Sequence, residues 1–318
     1  MRSLAVSLIL LPSFAFAQTT VTPEKQWGET VTSLMRKGDI PGLSIAVIRE
    51  GKIDWEGEFG QKNAVNDGVT DGPVLRDTLF SAASLSKPVF AYIVLRLVDR
   101  GVLDLDKPLY TYGFAYDRID KDPRSKLITA RMVLDHTTGL PNSGGTPLEF
   151  LFTPGEKFSY SGEGYEYLQK VVEHVTGKSL EELAQQEVFV PLKMEHSTFR
   201  WCPILANQVV IGKLETDESI SWNTPSEDSA SSLLTTAHDY AKFVVALMDG
   251  VGLKQATLQQ MWSSQVAVPE KGPGISFGLG WGIEQAGASK CIYHGGNNVA
   301  FKGAALACPE KREPLSTT

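Results

Sequence analysis

The chain has 318 residues, 42% of them hydrophobic and 21% charged, with a formal net charge of −7. It is long enough for one large domain or two intimate ones, and its mildly acidic balance, with no basic run, argues against nucleic acid as a partner. Five scattered histidines and three cysteines match no metal-ligand spacing, so neither a metal nor a cofactor is expected.

Met1 to Ala17 reads as a secretory signal. Arg2 precedes the apolar run Leu4 to Leu11, and Ala15-Phe16-Ala17 offers a small-x-small cleavage site. Export to a periplasm or to the medium is the expectation. No other run is long and apolar enough to span a bilayer. Leu43 to Ile48 is an apolar strand and Glu50-Gly51 a turn. Ile53, Trp55 and Phe59 then alternate with charged residues, predicting an antiparallel hairpin with one solvated face. Ser44 lies in a stretch loosely like a nucleophile elbow. That stretch enters a strand and lacks the final glycine, so Ser44 is read as structural.

Ser84 and Lys87 form a Ser-x-x-Lys pair at a predicted helix start. Phe90, Ile93, Val94, Leu97 and Val98 mark one buried face behind them, and Gly101 marks the stop. Residues three apart share a helical face, so the Lys87 amine can reach the Ser84 hydroxyl. A serine needs a base to become a nucleophile. Burial and the positive helix end both disfavour a charged lysine, which makes a neutral, basic Lys87 plausible. The helix N-terminus also offers N–H groups to a developing oxyanion.

Thr129 caps a predicted short helix through Leu134, which runs into the polar turn Asp135 to Pro141. His136 is read there as a structural turn residue. Pro154 to Gly162 is a loop feeding a helix whose stripe includes Tyr165, Leu168 and Val172, with Gly177 as its stop. Ser179 and Glu182 form a capping box. A further helix is predicted from Thr236 to Leu247. Phe277, Leu279, Trp281 and Ile283 alternate with glycines as a strand. Cys291 to His294, and then Ala300 to Ala307, read as a hairpin. Cys291 and Cys308 flank that hairpin, so either a disulfide joins them or all three cysteines are buried thiols. The two strand blocks are expected to share one antiparallel sheet, with the helical middle as an insert.

Several segments in fixed order resemble the serine β-lactamase and penicillin-binding-protein superfamily. They are Ser84-x-x-Lys87, His136-Thr137-Thr138-Gly139-Leu140, Pro154-Gly155-Glu156 before Tyr160, Pro191-Leu192-Lys193-Met194 and His294-Gly295-Gly296. None is specific alone; their joint order is. The chain looks most similar to the class C β-lactamase-related branch, with its esterases and D-amino-acid peptidases. The resemblance implies an α+β fold, an antiparallel sheet flanked by helices with an inserted, mostly helical lobe. Beyond the signal over 1–17, it implies a sheet-containing domain from 18–85 and 235–318 and a lobe over 86–234, with the active site between them.

By that resemblance Ser84 is the nucleophile, Lys87 its base partner and Tyr160 the proton relay of a Tyr-x-Asn motif. His294 stands where β-lactamases carry the lysine of Lys-Thr-Gly. Gly295 and Gly296 let substrate lie against the strand, and the N–H groups of Ser84 and Asn297 form the oxyanion hole. Two departures stand out. Gly162 replaces the asparagine of Tyr-x-Asn, and Ser231-Ser232 replace frequent paired glycines. The expected partner is a small ester, peptide or β-lactam-like substrate, with loop residues such as Asn142 to Glu149 setting the choice. A neutral histidine holds a β-lactam carboxylate less well than a lysine, which places an esterase or peptidase ahead of a β-lactamase. The other reading is a non-catalytic relative that binds penicillin or peptidoglycan fragments.

Relatives usually continue past Ala307 with a further strand and a long helix. Only Cys308 to Thr318 remain here, interrupted by Pro309 and Pro314. The expectation is a truncated or frame-altered form. The alternative is a shorter variant that covers its sheet with the helix near Thr22 to Met35.

Overall fold

The structure, a computed structural model, describes residues 23–63, 72–214, 218–220 and 226–308. The predicted signal segment and residues 309–318, with Pro309 and Pro314, lie outside the described residues. The described residues before Pro41 fall in one unit and those from Pro41 onward in another. The described part of the first holds α1 (Pro23–Lys37), with Arg36 and Lys37 in its last turn, where cations complement the helix dipole.

The second unit opens with the predicted hairpin, β1 (Gly42–Arg49) and β2 (Lys52–Gly60). Glu50 and Gly51 both take positive φ, 51° and 74°, the backbone of a two-residue hairpin turn. Both strand blocks are present, but among the described residues they do not join into one hydrogen-bonded sheet. β1 pairs only with β2 among the described residues, as a two-stranded ladder. Residues 43–48 of β1 are only half-buried. The larger sheet has five antiparallel strands in the order β11-β10-β9-β8-β7. They are β7 (Val266–Ala267), β8 (Ile275–Phe277), β9 (Gly282–Ala286), β10 (Ser289–Asn298) and β11 (Phe301–Ala307).

The alternating stretch from Phe277 to Ile283 is not one strand. Phe277 pairs with Gly282, and residues 278–281 form the turn between β8 and β9. There the Leu279 N–H donates to Met261 and the Gly280 N–H to Leu134, so the backbone bonds helical neighbours instead of a ladder. Leu279 and Trp281 are fully buried for that reason, which is why the alternation looked like a strand.

Between the strand blocks run short ladders and most of the helices. β3 (Phe80–Ser81) leads into α2 (Ser86–Asp99) and pairs with β6 (Leu234–Thr235). The others are α3 (Ala130–Leu134), α4 (Gly162–Thr176), α5 (Leu180–Ala184), α6 (Val190–Leu192), β4 (Gly212–Lys213), β5 (Ser219–Ile220), α7 (Ala237–Met248) and α8 (Gln255–Met261). Thr129, Ser161, Ser179 and Thr236 cap α3, α4, α5 and α7 with side-chain oxygens, each satisfying an N–H that no helix turn can reach. The Ser179–Glu182 capping box is complete.

α2 is the centre of the core. The sequence suggested one buried face, but every residue from Leu85 to Leu95 is buried. A helix apolar all round belongs inside a domain. Its polar end emerges at Arg96 and Arg100, which both donate to the buried carboxylate of Glu187. No helix among the described residues is long and apolar enough to cross a membrane.

Cys291 and Cys308 are disulfide-bonded across the β10–β11 hairpin, just beyond the Ile292–Ala307 pair; Cys202 is free. The bridge closes a sequence separation of 17 residues. Closing a loop of that length constrains the unfolded chain by about 3 kcal/mol. Reduction, or a Cys291→Ala/Cys308→Ala pair, should therefore lower the unfolding midpoint in calorimetry. An unchanged midpoint would show that the hairpin is held by its ladder alone.

Candidate active site

Ser84 sits where β3 passes into α2. Ala83 takes φ +50°, a strained value for a residue with a Cβ. A tight turn over Ala83–Leu85 follows, so the α-helix proper starts at Ser86, two residues later than expected. Ser84 is the one residue of 81–95 that is not buried. Ser86 is structural: its hydroxyl donates to the Ala83 carbonyl at 2.6 Å and accepts the Leu233 N–H at 3.0 Å. Ser44 lies on β1, paired with Glu58 of β2.

Lys87 lies one turn on. Its Nζ donates to Ser84 Oγ at 3.3 Å and to the Ala230 carbonyl at 2.9 Å. It is 4.8 Å from the Tyr160 ring centroid. Burial lowers its pKa from 10.5 to about 7, against an opposing pull from the Asp228 carboxylate. Close to neutral pH, a large fraction of Lys87 is therefore an uncharged amine.

The Ala230 carbonyl is a partner that the sequence did not reveal. It is presented by a turn over 228–232. Asp228 accepts the Ala230 N–H at 2.7 Å and the Ser231 hydroxyl. Ser232 Oγ accepts the Asp228 N–H at 2.9 Å and donates to the Phe199 carbonyl at 2.9 Å. Ser231 and Ser232 thus fasten the turn that holds Lys87.

Tyr160 packs against Lys87 from the loop before α4. Burial raises its pKa well above 10, and a hydrogen bond with Ser84 only partly opposes this, so the phenol keeps its proton at neutral pH. Its ring lies 4.2 Å from that of His136, centroid to centroid. His136 was legible as a turn residue, not as a neighbour of the site.

β10 forms the other wall. His294 is buried, 6.1 Å from Tyr160 by ring centroids. Its Nδ1 is 2.8 Å from the Gly295 carbonyl. A carbonyl only accepts, so Nδ1 carries the proton and Nε2 the lone pair. Burial, then the nearby Lys87 charge, lowers its pKa to about 3, so the ring is neutral. A Cβ at Gly296 would lie 2.3 Å from the Ala82 carbonyl oxygen; only glycine lets β10 pass this close to the Ser84 turn. Gly295 is exposed beside it. The Asn297 side chain is occupied by Lys302 across the hairpin, so any role of Asn297 in the site belongs to its backbone. Asn298, not singled out in the sequence, donates to Ser81 Oγ at 3.0 Å and the Ser231 carbonyl at 3.2 Å, tying β10 to the site.

Gly162 has a local cause. A Cβ there would meet the Asn142 carbonyl oxygen at 2.5 Å and Asn142 Oδ1 at 3.2 Å. The loop after Pro141 fills the space a side chain would need. Ser161 Oγ donates to the Pro141 carbonyl, the Gly144 N–H donates to Glu163, and Arg118 bonds both Glu163 and the Gly144 carbonyl.

A partly exposed serine at a helix start, a buried lysine one turn on, a protonated tyrosine and a glycine-bearing strand edge define the site type of the serine β-lactamase and penicillin-binding-protein superfamily. The beta-lactamase family profile matches residues 27–314, and the chain belongs to that family. The chain is similar to Protein flp of Staphylococcus aureus (strain MW2), 22% identical over 307 residues. That match covers 87% of this chain and 59% of the relative, so the chain spans little more than half of the relative's length. Two solved structures share the fold. The octameric penicillin-binding protein homologue from Pyrococcus abyssi superposes with a TM-score of 0.76 at 22% identity, over 90% of this chain and 71% of that one. D-alanine carboxypeptidase AmpC from Burkholderia cenocepacia gives 0.75 at 18% identity, over 89% of each.

Proposed function

We propose that the chain is an exported serine hydrolase that cleaves ester or amide bonds through an acyl-enzyme on Ser84. The observation that carries this reading is the Lys87 amine, 3.3 Å from Ser84 Oγ and with its pKa lowered to about 7. Neutral Lys87 takes the Ser84 proton as Oγ attacks the substrate carbonyl. The backbone N–H groups of Ser84 and Asn297 receive the oxyanion. Tyr160 gives its phenolic proton to the leaving group and recovers one from Lys87, which returns to the neutral amine. Water, deprotonated through the same pair, then attacks the acyl-enzyme. The acyl group leaves as a carboxylic acid and Ser84 regains its proton. Export is supported by the composition of the first 17 residues and by a disulfide that needs an oxidising compartment.

The site supports neutral acyl donors ahead of β-lactams. A neutral His294 carries no cation to meet a carboxylate. His294→Lys should therefore raise kcat/KM for a carboxylate-bearing cephalosporin relative to a neutral ester, by about tenfold. An unchanged ratio would show that position 294 does not face the carboxylate. One observation favours a second reading, a penicillin-binding relative without turnover: no amide side chain can stand at Gly162, where Asn142 fills the space. Purified protein mixed with a p-nitrophenyl ester and with a chromogenic cephalosporin separates the two readings. Ester turnover far beyond one equivalent supports the hydrolase. A single equivalent released from each, with no further turnover, supports the binder.

A further inference from the structure

The contacts that hold Tyr160 converge on His136. This residue follows α3, takes φ +62° and is wholly buried. Its carbonyl accepts the Ser159 N–H at 2.8 Å, and its Nδ1 accepts the Ser161 N–H at 3.0 Å. The two bonds bracket Tyr160 in sequence. The imidazole itself lies against the Tyr160 ring, planes inclined by 32°, and is backed by Phe158, Tyr165 and Phe277. A main-chain N–H can only donate, so Nδ1 keeps its lone pair. A neutral ring then carries its proton on Nε2. Burial holds the ring neutral, with the Lys87 charge acting in the same direction.

We infer that His136 is a positioning residue for Tyr160: a neutral imidazole, fixed in one tautomer by the Ser161 N–H, sets where the Tyr160 hydroxyl stands against Ser84 and the leaving group. The inference rests on the reading of Tyr160 as the proton donor. Both backbone anchors of the tyrosine and the flat wall behind its ring come from this single residue. Asparagine tolerates the left-handed backbone and offers Oδ1 close to where Nδ1 sits, but supplies no ring. His136→Asn therefore separates the ring from the turn, and His136→Ala removes both ring and acceptor.

The test is leaving-group dependence. A p-nitrophenolate departs without a proton, whereas an ethoxide needs one. With a p-nitrophenyl and an ethyl ester of the same acid, both His136 variants should lose kcat/KM mainly on the ethyl ester. The ratio between the esters should widen by about tenfold or more, as it should for Tyr160→Phe. Adding His136→Asn to Tyr160→Phe should widen it little further, since the two act as one unit. Equal losses on both esters, or fully additive losses, would overturn the inference. Should the variants fail to fold, 15N spectra of the histidines in the unaltered protein at pH 7 decide it. They should show His136 protonated on Nε2 and bare on Nδ1; an imidazolium or the opposite tautomer overturns the proposal. If the unaltered protein turns over neither ester, the hydrolase reading fails by itself, and the tautomer measurement still judges the His136 geometry.

Discussion

Ser84→Ala should abolish ester turnover, lowering kcat by about 10⁴-fold or more, as loss of a covalent nucleophile does. No neighbouring hydroxyl can take over. Ser86 Oγ is held between the Ala83 carbonyl and the Leu233 N–H. Ser161 Oγ caps α4 at the Gly164 N–H and donates to the Pro141 carbonyl. The fold should barely notice, because Ser84 is partly exposed and its hydroxyl bonds only side chains of the site, Lys87 and Tyr160. Steady-state ester kinetics and a thermal melt on the same sample check both halves. Activity within tenfold of the unaltered protein would move the nucleophile elsewhere.

Lys87→Met should remove turnover and raise stability at pH 7. The lysine has a pKa of about 7 when folded, against 10.5 for a free side chain. Between those values the unfolded chain binds a proton that the folded chain does not. Folded stability therefore falls as pH drops from 10.5 to 7, and below 7 the penalty stays constant. Methionine lifts that penalty but leaves the Ala230 carbonyl without its amine. The net gain is about 2 kcal/mol at pH 7 and turns into a net loss above pH 10.5, where only the missing hydrogen bond to the Ala230 carbonyl is left. The same titration governs catalysis. kcat/KM should rise about tenfold from pH 6 to pH 8 and then level off, because only the neutral amine can take the Ser84 proton. A rate flat across that range would mean that Lys87 is not the base. A destabilised Lys87→Met would mean that its hydrogen bonds outweigh its burial.

What the sequence made legible was local. The reach of Lys87 to Ser84 is a matter of helix spacing. The stops at Gly101 and Gly177 follow from glycine's tolerance of positive φ, which both adopt. The caps at Thr129 and Ser179 and the helix start at Thr236 also rest on interactions within a few residues. What escaped was set by distant chain. The Ala230 carbonyl reaches Lys87 across 143 positions, and Asn298 reaches Ser81 across 217. Neither has a spacing signal. The full burial of α2 was hidden because Tyr92 and Ala91 carry no strong pattern alone. The β8–β9 turn was hidden because alternating glycines and large apolar residues satisfy a strand and a buried turn equally. His136 carried a visible signal, a histidine in a tight polar turn, but its stacking on Tyr160 depends on a loop 24 residues further along. Gly162 looked like a loss from a motif; the structure shows a loop standing in the space.

The central claim is that Ser84 becomes covalently acylated. Residues 18–318 incubated with a fluorophosphonate, digested and analysed by mass spectrometry test it most directly. One equivalent of added mass is expected on the peptide containing Ser84, removed by Ser84→Ala and slowed by Lys87→Met. Label at Ser44, Ser86 or Ser161, or no label on a folded protein, would contradict it.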